Sequence, residues 1–171
     1  MIRAATPKDV PVIVEFIREL ADYERALDKA VLTEEQMLQA LFGPQPALYA
    51  HIACDDSGEP VGFAVWFLNF STWLGVHGIY LEDLYVRPHA RGGGHGKALL
   101  AVLAGIAVRR GYFGVQWWVL KWNTPTIDFY RSVGAVEQDE WAVWRITGDA
   151  MRELARIQSV SDVALVQGHT A

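Results

Sequence analysis

The chain has 171 residues, a formal net charge of -5, and a composition that is 51% hydrophobic and 20% charged. This length and composition predict one compact domain with a sizeable core and exclude an intrinsically disordered chain. The acidic balance argues against a nucleic-acid-binding protein, whose surface is usually basic, and is compatible with a cationic substrate.

The distribution of apolar residues and the cysteine count bear on location and chemistry. No basic head followed by a signal-length apolar run opens the chain, and no segment offers about 18 uncharged apolar residues for a membrane helix. The single cysteine, Cys54, excludes an internal disulfide and a zinc site built from four thiolates. We therefore expect a cytoplasmic protein with neither a membrane nor a nucleic acid as partner.

The first half of the chain predicts a strand, two helices and a hairpin. Residues 1–5 form the first strand, and a helix-start pattern at Thr6 opens an apolar repeat of helical spacing. A capping-box pattern at Thr33 begins the second helix. The runs 47–54 and 61–68 flank the turn sequence DDSGEP, so they predict two strands joined in a hairpin.

The second half alternates strands and helices. Its predicted elements are strand 79–86, a helix that follows a glycine cluster, strand 115–120, helix 124–132, strand 141–146 and helix 149–157. Hairpins combined with helical crossovers predict a mixed α/β domain. We expect a single domain over residues 1–157 and a C-terminal tail over 158–171.

The glycine cluster RGGGHGK, which runs from Arg91 to Lys97, lies between a strand and a helix. Glycine lets the backbone approach a ligand closely, and the N–H groups at a helix N-terminus attract anions, so the cluster predicts a phosphate site. A P-loop is excluded because Ala98 follows Lys97, and a dinucleotide-binding loop is excluded because Lys97 stands where its third glycine is required. The alternative is a polar turn that caps the helix.

Two neighbouring carboxylates, Glu82 and Asp83, lie in the apolar strand before this cluster. Adjacent strand residues face opposite sides, so these acids cannot point the same way unless a β-bulge intervenes. A carboxylate in so apolar a run is expected to have a partner or a function. The alternative is that both are ordinary acids paired with arginines.

The pattern Arg-Gly-x-Gly-x-Gly between a strand and a helix resembles the pyrophosphate-binding loop of the GNAT superfamily of N-acetyltransferases, which bind acetyl-coenzyme A (acetyl-CoA). The segment from Asn123 to Ala135 resembles the family's short helix whose tyrosine faces the coenzyme sulfur. His95 departs from the family, which more often has an apolar residue there. Binding of phosphate by the backbone should survive that change.

Further segments resemble the diamine acetyltransferase branch and, within it, the thialysine N-epsilon-acetyltransferases. They are Ile17–Glu24, Leu32–Glu35, Ser71–Trp73, Ile79–Asp83, Trp122–Asn123 and Asp149–Ala155, so the resemblance covers roughly residues 1–157. Polyamine enzymes tend to carry an aspartate where this chain has Ser71 and Thr72. That departure puts spermidine and spermine in doubt as preferred substrates.

The resemblance implies the α/β GNAT fold, with a mixed, mostly antiparallel sheet flanked by helices and with splayed central strands. It implies transfer of the acetyl group of acetyl-CoA to a primary amine of a small cationic substrate, by direct attack in a ternary complex. Members of this branch are typically homodimers. A GNAT acetyltransferase of other specificity (amino acid, antibiotic or protein amine) and a non-catalytic CoA-binding module are the alternatives.

The resemblance also assigns roles to residues. Glu82 is the expected proton acceptor, and Tyr130 is expected to protonate the departing thiolate, although Tyr130 could instead be an aromatic on a buried helix face. The expected coenzyme-binding residues are Leu84, Tyr85, Val86, Arg91, Gly92, Gly94, His95, Gly96, Lys97 and Asn123. The expected substrate-binding residues are Glu24, Trp73, Glu82 and Asp83.

Neither a metal nor a covalent intermediate is expected. Scattered histidines lack metal-ligand spacing; they are His51, His77, His89 and His169. Cys54 lies in a different strand from the two acids and is expected to be a core residue, not a nucleophile.

Overall fold

The computed structural model describes residues 1–157. The strands and helices, in chain order, are β1 (Ile2–Ala4), α1 (Val10–Tyr23), α2 (Glu34–Phe42), β2 (Tyr49–Cys54), β3 (Pro60–Ser71), β4 (Val76–Val86), α3 (His95–Arg110), β5 (Val115–Gln116), α4 (Thr124–Ser132) and α5 (Gly148–Arg156). Short 3-10 turns lie at Pro7–Asp9, Leu27–Lys29 and Pro88–Ala90. The predicted tail, 158–171, lies outside the described residues, and the single domain over 1–157 stays a prediction.

One five-stranded sheet has the order β1-β2-β3-β4-β5. The first four strands pair antiparallel and β5 runs parallel to β4, so the predicted mixed, mostly antiparallel sheet is confirmed. The parallel ladder consists of two residue pairs, Ile79 with Val115 and Tyr80 with Gln116. Because β4 continues to Val86 without β5 beside it, the two strands separate beyond Tyr80, which is the predicted splay.

Each face of the sheet carries its own apolar cluster, because successive strand residues point to opposite sides. Helices α1 and α2 cover one face, where Phe16 of α1 stacks on Phe63 of β3 with ring centroids 5.4 Å apart. Helix α3 covers the other face with the fully buried Leu99 and Leu103. Each such side chain contributes roughly 1.5–3 kcal/mol of transfer free energy. This packing fixes α1 and the start of α3 against opposite faces of the sheet.

Two short sequence patterns predicted where the first two helices begin. Thr33 Oγ1 accepts a hydrogen bond from the Gln36 N–H at 3.2 Å, and Gln36 Oε1 accepts one from the Thr33 N–H at 3.0 Å, so the predicted capping box begins α2. The pattern at Thr6 begins a 3-10 turn, Pro7–Asp9, and α1 follows from Val10. The hairpin around DDSGEP joins β2 to β3 as predicted.

Two strand predictions require correction. The predicted strand 115–120 is limited to Val115–Gln116, because the chain leaves β4 after two residue pairs. The predicted strand 141–146 is not a strand: its residues have no ladder partner within the described chain, and Trp144 is 91% exposed. A period-two apolar pattern indicates a strand, but a strand also needs a backbone partner. Strands β3 and β4 extend beyond the predicted 61–68 and 79–86.

The described chain forms two units. Residues 1–133 are the first unit and contain the whole sheet. In the second unit, which begins at Gly134, helix α5 carries ion pairs between Arg152 and Asp149 and between Arg156 and Glu153, each three residues apart. Over the described part of the chain, none of the helices combines the length and the apolar character needed to cross a membrane.

Candidate active site

The register between β3 and β4 shifts at the two predicted acids. Val65 pairs with Asp83, whereas the next residue of β3, Trp66, pairs with Leu81. Glu82 is therefore the extra residue of a β-bulge, the feature that the sequence alone left open.

The bulge reverses the side-chain alternation along β4. Leu81 packs in the cluster under α3, but Leu84, three residues later, packs on that same side, and Tyr85 belongs to the cluster under α1. Asp83 lies opposite Val65, a residue of the α1-side cluster, and Glu82 follows Leu81 with the opposite orientation. Both acids consequently lie on the sheet face that carries α1.

A third acid lies at the end of α1 and acts electrostatically on the first two. Glu24 caps this helix, and its N–H donates to the Leu20 carbonyl at 2.9 Å. Burial raises the pKa of Glu24, and the Glu24 charge in turn raises the pKa values of Asp83 and Tyr130. The structure therefore brings together Glu24, Glu82, Asp83 and Tyr130.

Asp83 has the most unusual acid–base property of this group. Burial, first, and the charges of Glu82 and Glu24 raise its pKa to about 7. No cation contributes to this shift among residues 1–157. Glu82 itself is exposed at the bulge. The three acids Glu24, Glu82 and Asp83, hereafter the acid cluster, thus form a site that can accept a cation and exchange a proton near neutral pH.

Tyr130 is half-buried in α4, between the rings of Trp117 and Phe129, whose centroids lie 4.6 and 5.4 Å from its own. Burial, first, and the Glu24 charge raise the pKa of Tyr130 to about 12. Its hydroxyl is therefore protonated at neutral pH and can act as a donor. Its role as a proton donor stays a prediction, beside the alternative of an aromatic on a buried helix face.

The glycine loop has the backbone geometry of an anion site. Gly92 and Gly94 have φ values of 82° and 79°, in the left-handed region that favours glycine, and α3 begins at His95. Apart from their chain neighbours, no described protein atom lies within 4 Å of the point where a Cβ of either glycine would stand. The N–H groups of a first helical turn and the exposed Lys97 ammonium add positive potential. These features fit a pyrophosphate group.

Arg91 connects this loop to the sheet and to α1. Its Nε donates to the Val86 carbonyl at 2.9 Å, and its guanidinium carbon lies 5.1 Å from the ring centroid of Tyr23 and 5.6 Å from that of Tyr85. The residues beside it on β4, Leu84 and Val86, are half-buried, on the stretch that β5 no longer pairs. The predicted coenzyme residues of β4 and of the loop are therefore adjacent.

Asn123 was predicted to contact the coenzyme, and the structure gives its side chain a protein partner. Asn123 is 4% exposed, and its Oδ1 accepts a hydrogen bond from the Tyr23 hydroxyl at 3.0 Å. Sequence reasoning did not single out Tyr23. The available signal was its position in the Ile17–Glu24 segment, beside Glu24.

Trp73 lies apart from the acid cluster. It is 89% exposed at the tip of the β3–β4 hairpin, beyond the pair formed by Ser71 and Val76. Glu82 lies further along β4, about 20 Å away at ~3.3 Å per strand residue. One chain does not bring Trp73 next to Glu82 and Asp83, and a substrate contact by Trp73 stays a prediction.

The sequence pattern of the acetyltransferase (GNAT) family matches residues 14–135, a stretch that includes the acid cluster, the glycine loop and α4. The chain belongs to the GNAT family of acetyltransferases. As a GNAT enzyme it uses the fold that the resemblance predicted, and it is an acetyltransferase. GNAT acetyltransferases use acetyl-CoA as co-substrate.

Individual relatives match over nearly the whole chain. Thialysine N-epsilon-acetyltransferase of Bos taurus is 38% identical over 165 residues, covering 91% of this chain and 96% of that protein. L-ornithine N5-acetyltransferase NATA1 of Arabidopsis thaliana is 30% identical over 200 residues, covering 91% of this chain and 88% of that protein. An integron cassette protein from the mobile metagenome of V. cholerae shares the fold with a TM-score of 0.75 and 26% identity, covering 91% of this chain and 97% of that one.

Proposed function

We propose that this GNAT enzyme transfers the acetyl group of acetyl-CoA to a primary amine of a small cationic substrate, such as thialysine, another lysine-like amine or a diamine. One observation carries the proposal: the β-bulge puts Glu82 and Asp83 on the α1 face, where the charges of Glu82 and Glu24 act on Asp83 and the Glu24 charge also acts on Tyr130. No cation among residues 1–157 offsets the raised pKa of Asp83, and a carboxylate in this state is complementary to an ammonium group. The relatives named for thialysine and for L-ornithine support the same substrate class.

The acids bind and deprotonate the amine in this proposal. A lysine-like amine has a pKa of about 10.4, so at neutral pH it arrives protonated and cannot attack. Glu24 and Asp83 hold the cation, and Glu82 takes its proton, directly or through one water. The deprotonated nitrogen then attacks the thioester carbonyl directly, in a ternary complex.

The coenzyme side uses the splayed strand and the glycine loop. Acetyl-CoA supplies the activated acetyl group as a thioester. The loop from Gly92 to Lys97, with its backbone N–H groups and the side chains of Arg91, His95 and Lys97, holds the pyrophosphate. The amides of residues 84–86 hold the pantetheine arm and stabilise negative charge on the carbonyl oxygen. Tyr130 donates its proton to the departing sulfur and regains one that the attacking nitrogen loses as the amide forms. Asn123 fixes the start of α4.

A homodimer is part of the proposal. Its support is the resemblance to the diamine acetyltransferase branch, whose members are typically homodimers. Sedimentation velocity at micromolar concentration measures the state, and a monomer there would contradict the dimer. The cytoplasmic location expected from the sequence stays a prediction.

The substrate class is tested by thiol release from acetyl-CoA with a panel of amines: thialysine, lysine, ornithine, short diamines, spermidine and spermine. We expect strong turnover of thialysine or a short diamine and weaker turnover of spermine. Turnover of amino-acid, antibiotic or protein amines instead would favour a GNAT enzyme of other specificity. Coenzyme binding by calorimetry without turnover on any amine would indicate a CoA-binding module.

The role of Tyr130 has its own variant. Tyr130→Phe removes the hydroxyl and keeps the ring between Trp117 and Phe129. We expect kcat to fall about tenfold or more, since the departing sulfur loses its proton donor, with unchanged coenzyme affinity. Tyr112→Phe is the matched control, because Tyr112 packs near the C-terminal end of α3 against His77. An unchanged kcat in Tyr130→Phe would mean that another group or water protonates the thiolate.

A further inference from the structure

Tyr23 lies where the acceptor side and the coenzyme side of the site meet. It is the last residue of α1, directly before Glu24, and the chain reverses at Arg25, whose φ of 59° is in the left-handed region. Upstream, α1 is anchored by buried residues such as Phe16. The last turn of the helix is less buried, so the position of Glu24 depends on what holds Tyr23.

The Tyr23 hydroxyl joins α1 to α4. It donates to the Asn123 Oδ1 at 3.0 Å, across 100 residues of sequence. Asn123 is itself fixed by its backbone: its N–H donates to the Leu120 carbonyl at 2.9 Å and its carbonyl accepts from the Ile127 N–H at 3.0 Å. A buried side-chain oxygen that loses its donor is unfavourable, so the bond constrains both partners. Helix α4, which Asn123 precedes as its N-cap, carries Tyr130.

The Tyr23 ring joins α1 to the coenzyme loop. The Arg91 guanidinium lies over this ring at 5.1 Å, and the Trp122 ring packs on it with centroids 6.1 Å apart. Arg91 is also tied to Val86 by its Nε. The Tyr23 hydroxyl therefore contacts Asn123, and its ring contacts Arg91. Substitutions can remove the hydroxyl and the ring separately.

We propose that Tyr23 is a positioning residue: its hydroxyl sets Glu24 against Tyr130 through Asn123, and its ring sets Arg91 for the coenzyme. The hydroxyl part rests on the proposed function, because it acts on the amine-acetylating geometry. The ring part concerns coenzyme binding alone. Tyr23 has no covalent role and transfers no proton to substrate.

Two substitutions separate the parts. Tyr23→Phe keeps the ring and removes the hydroxyl, and we expect kcat/KM for the amine to fall about tenfold, with unchanged affinity for acetyl-CoA. Tyr23→Leu removes both parts, and we expect an additional loss of about threefold in acetyl-CoA affinity. Tyr49→Phe is the matched control, since Tyr49 stacks on Trp66 in β2 and β3, away from the loop. It should keep both constants.

The measurements are steady-state kinetics on the best amine of the panel, calorimetric binding of acetyl-CoA, and thermal melting of each variant. A purely structural role for Tyr23 would lower the melting temperature and the fraction of protein that binds coenzyme, but would leave kcat/KM per coenzyme-binding site unchanged. A double-mutant cycle with Asn123→Ala should show that the two losses are not additive, because one bond is removed twice.

Failure of this inference is distinguishable from failure of the proposed function. Wild-type kcat/KM in Tyr23→Phe, on any amine that the enzyme accepts, would overturn the hydroxyl part. Equal acetyl-CoA affinity in Tyr23→Leu and wild type would overturn the ring part, and this experiment needs no turnover. Inactivity of the wild type on every amine would count against the substrate class and the hydroxyl part, while the ring part would still be decided by binding.

Discussion

Asp9 and Asp83 are two aspartates withdrawn from solvent in the same unit of the fold, and their pKa values move in opposite directions. The Arg3 guanidinium donates to the two Asp9 carboxylate oxygens at 2.8 and 2.7 Å, and the Thr6 backbone N–H donates to one of them at 2.7 Å. These bonds, led by Arg3, lower the pKa of Asp9 to about 2. The chain itself therefore supplies the cation and the hydrogen-bond donors that stabilise the ionised Asp9 carboxylate.

At Asp83 the same chemical group has the opposite environment. Burial and the charges of Glu82 and Glu24 raise its pKa to about 7, and no cation among residues 1–157 offsets them. The difference teaches that the partner, more than burial alone, decides the state of a withdrawn aspartate. Asp9 is paired with Arg3 of its own chain and stabilises the fold, whereas under the proposed function the acids around Asp83 bind a cationic substrate. This contrast supports an amine as the acceptor.

The largest expected effect comes from neutralising the acid next to Asp83. Glu82→Gln removes the proposed proton acceptor, so we expect kcat to fall about 100-fold or more while the affinity for acetyl-CoA is kept. It also removes one charge that raises the pKa of Asp83, so that pKa should fall. Steady-state kinetics and calorimetry measure the first two quantities. Glu59→Gln, in the exposed β2–β3 turn, is the control. An unchanged rate in Glu82→Gln would remove Glu82 from the mechanism.

Features of the fold that are set by a few consecutive residues could be predicted from the sequence. The glycine loop and the capping box at Thr33 depend on backbone conformations set within a few residues, so their patterns are readable locally. The same holds for the hairpin at DDSGEP. The GNAT fold was predicted from the resemblance of the glycine loop and of further segments to that family, and these segments cover most of the chain.

Features that join distant parts of the chain were harder to predict from the sequence. The bulge at Glu82 depends on how β4 pairs with Val65 and Trp66, and a cross-strand register is not visible within one strand. The bond from Tyr23 to Asn123 spans 100 residues. The segment 141–146 shows the converse error, because a local alternation predicted a strand for which the described chain offers no partner. Local chemistry predicted the parts of the site, and long-range pairing arranged them.

The next largest expected effect concerns Asp9, the aspartate that is paired with Arg3. Asp9→Asn should lower the free energy of unfolding by about 2 kcal/mol at pH 7, because the pair with Arg3 loses its charge. The pKa of Asp9 is lower in the folded state than in the unfolded chain. Its stabilisation is therefore complete above pH ~4 and is lost as the pH falls toward 2. Denaturant unfolding of wild type and variant at pH 7 and near pH 2 measures this. Asp56→Asn, in an exposed turn, should have no such effect, and a pH-independent loss in Asp9→Asn would contradict the charge argument.

The smallest expected effect is a gain in stability when Asp83 is replaced, opposite in sign to the loss expected at Asp9. The pKa of Asp83 is higher in the folded state, about 7, than in the unfolded chain, near ~3.9, so the folded state binds the extra proton between these values. The contribution of Asp83 to wild-type stability should therefore decrease as the pH rises from about 4 to about 7 and stay level above. Asp83→Asn cannot ionise, and relative to wild type it should gain about 1 kcal/mol between pH 4.5 and pH 8, an amount reduced from the full linkage value because Asp83 retains some contact with solvent.

Thermal or denaturant unfolding at these two pH values measures the gain, with Asp9→Asn as the counterpart whose stability difference changes below pH 4. An amine that binds the cluster should reduce the gain, because its positive charge stabilises ionised Asp83 in the wild type and finds no such partner in Asp83→Asn. A stability difference between Asp83→Asn and wild type that stays constant from pH 4.5 to 8 would show that Asp83 is already ionised throughout this range. The two aspartates would then be alike in charge, and the case for a cation from outside would rest on the geometry of the bulge alone.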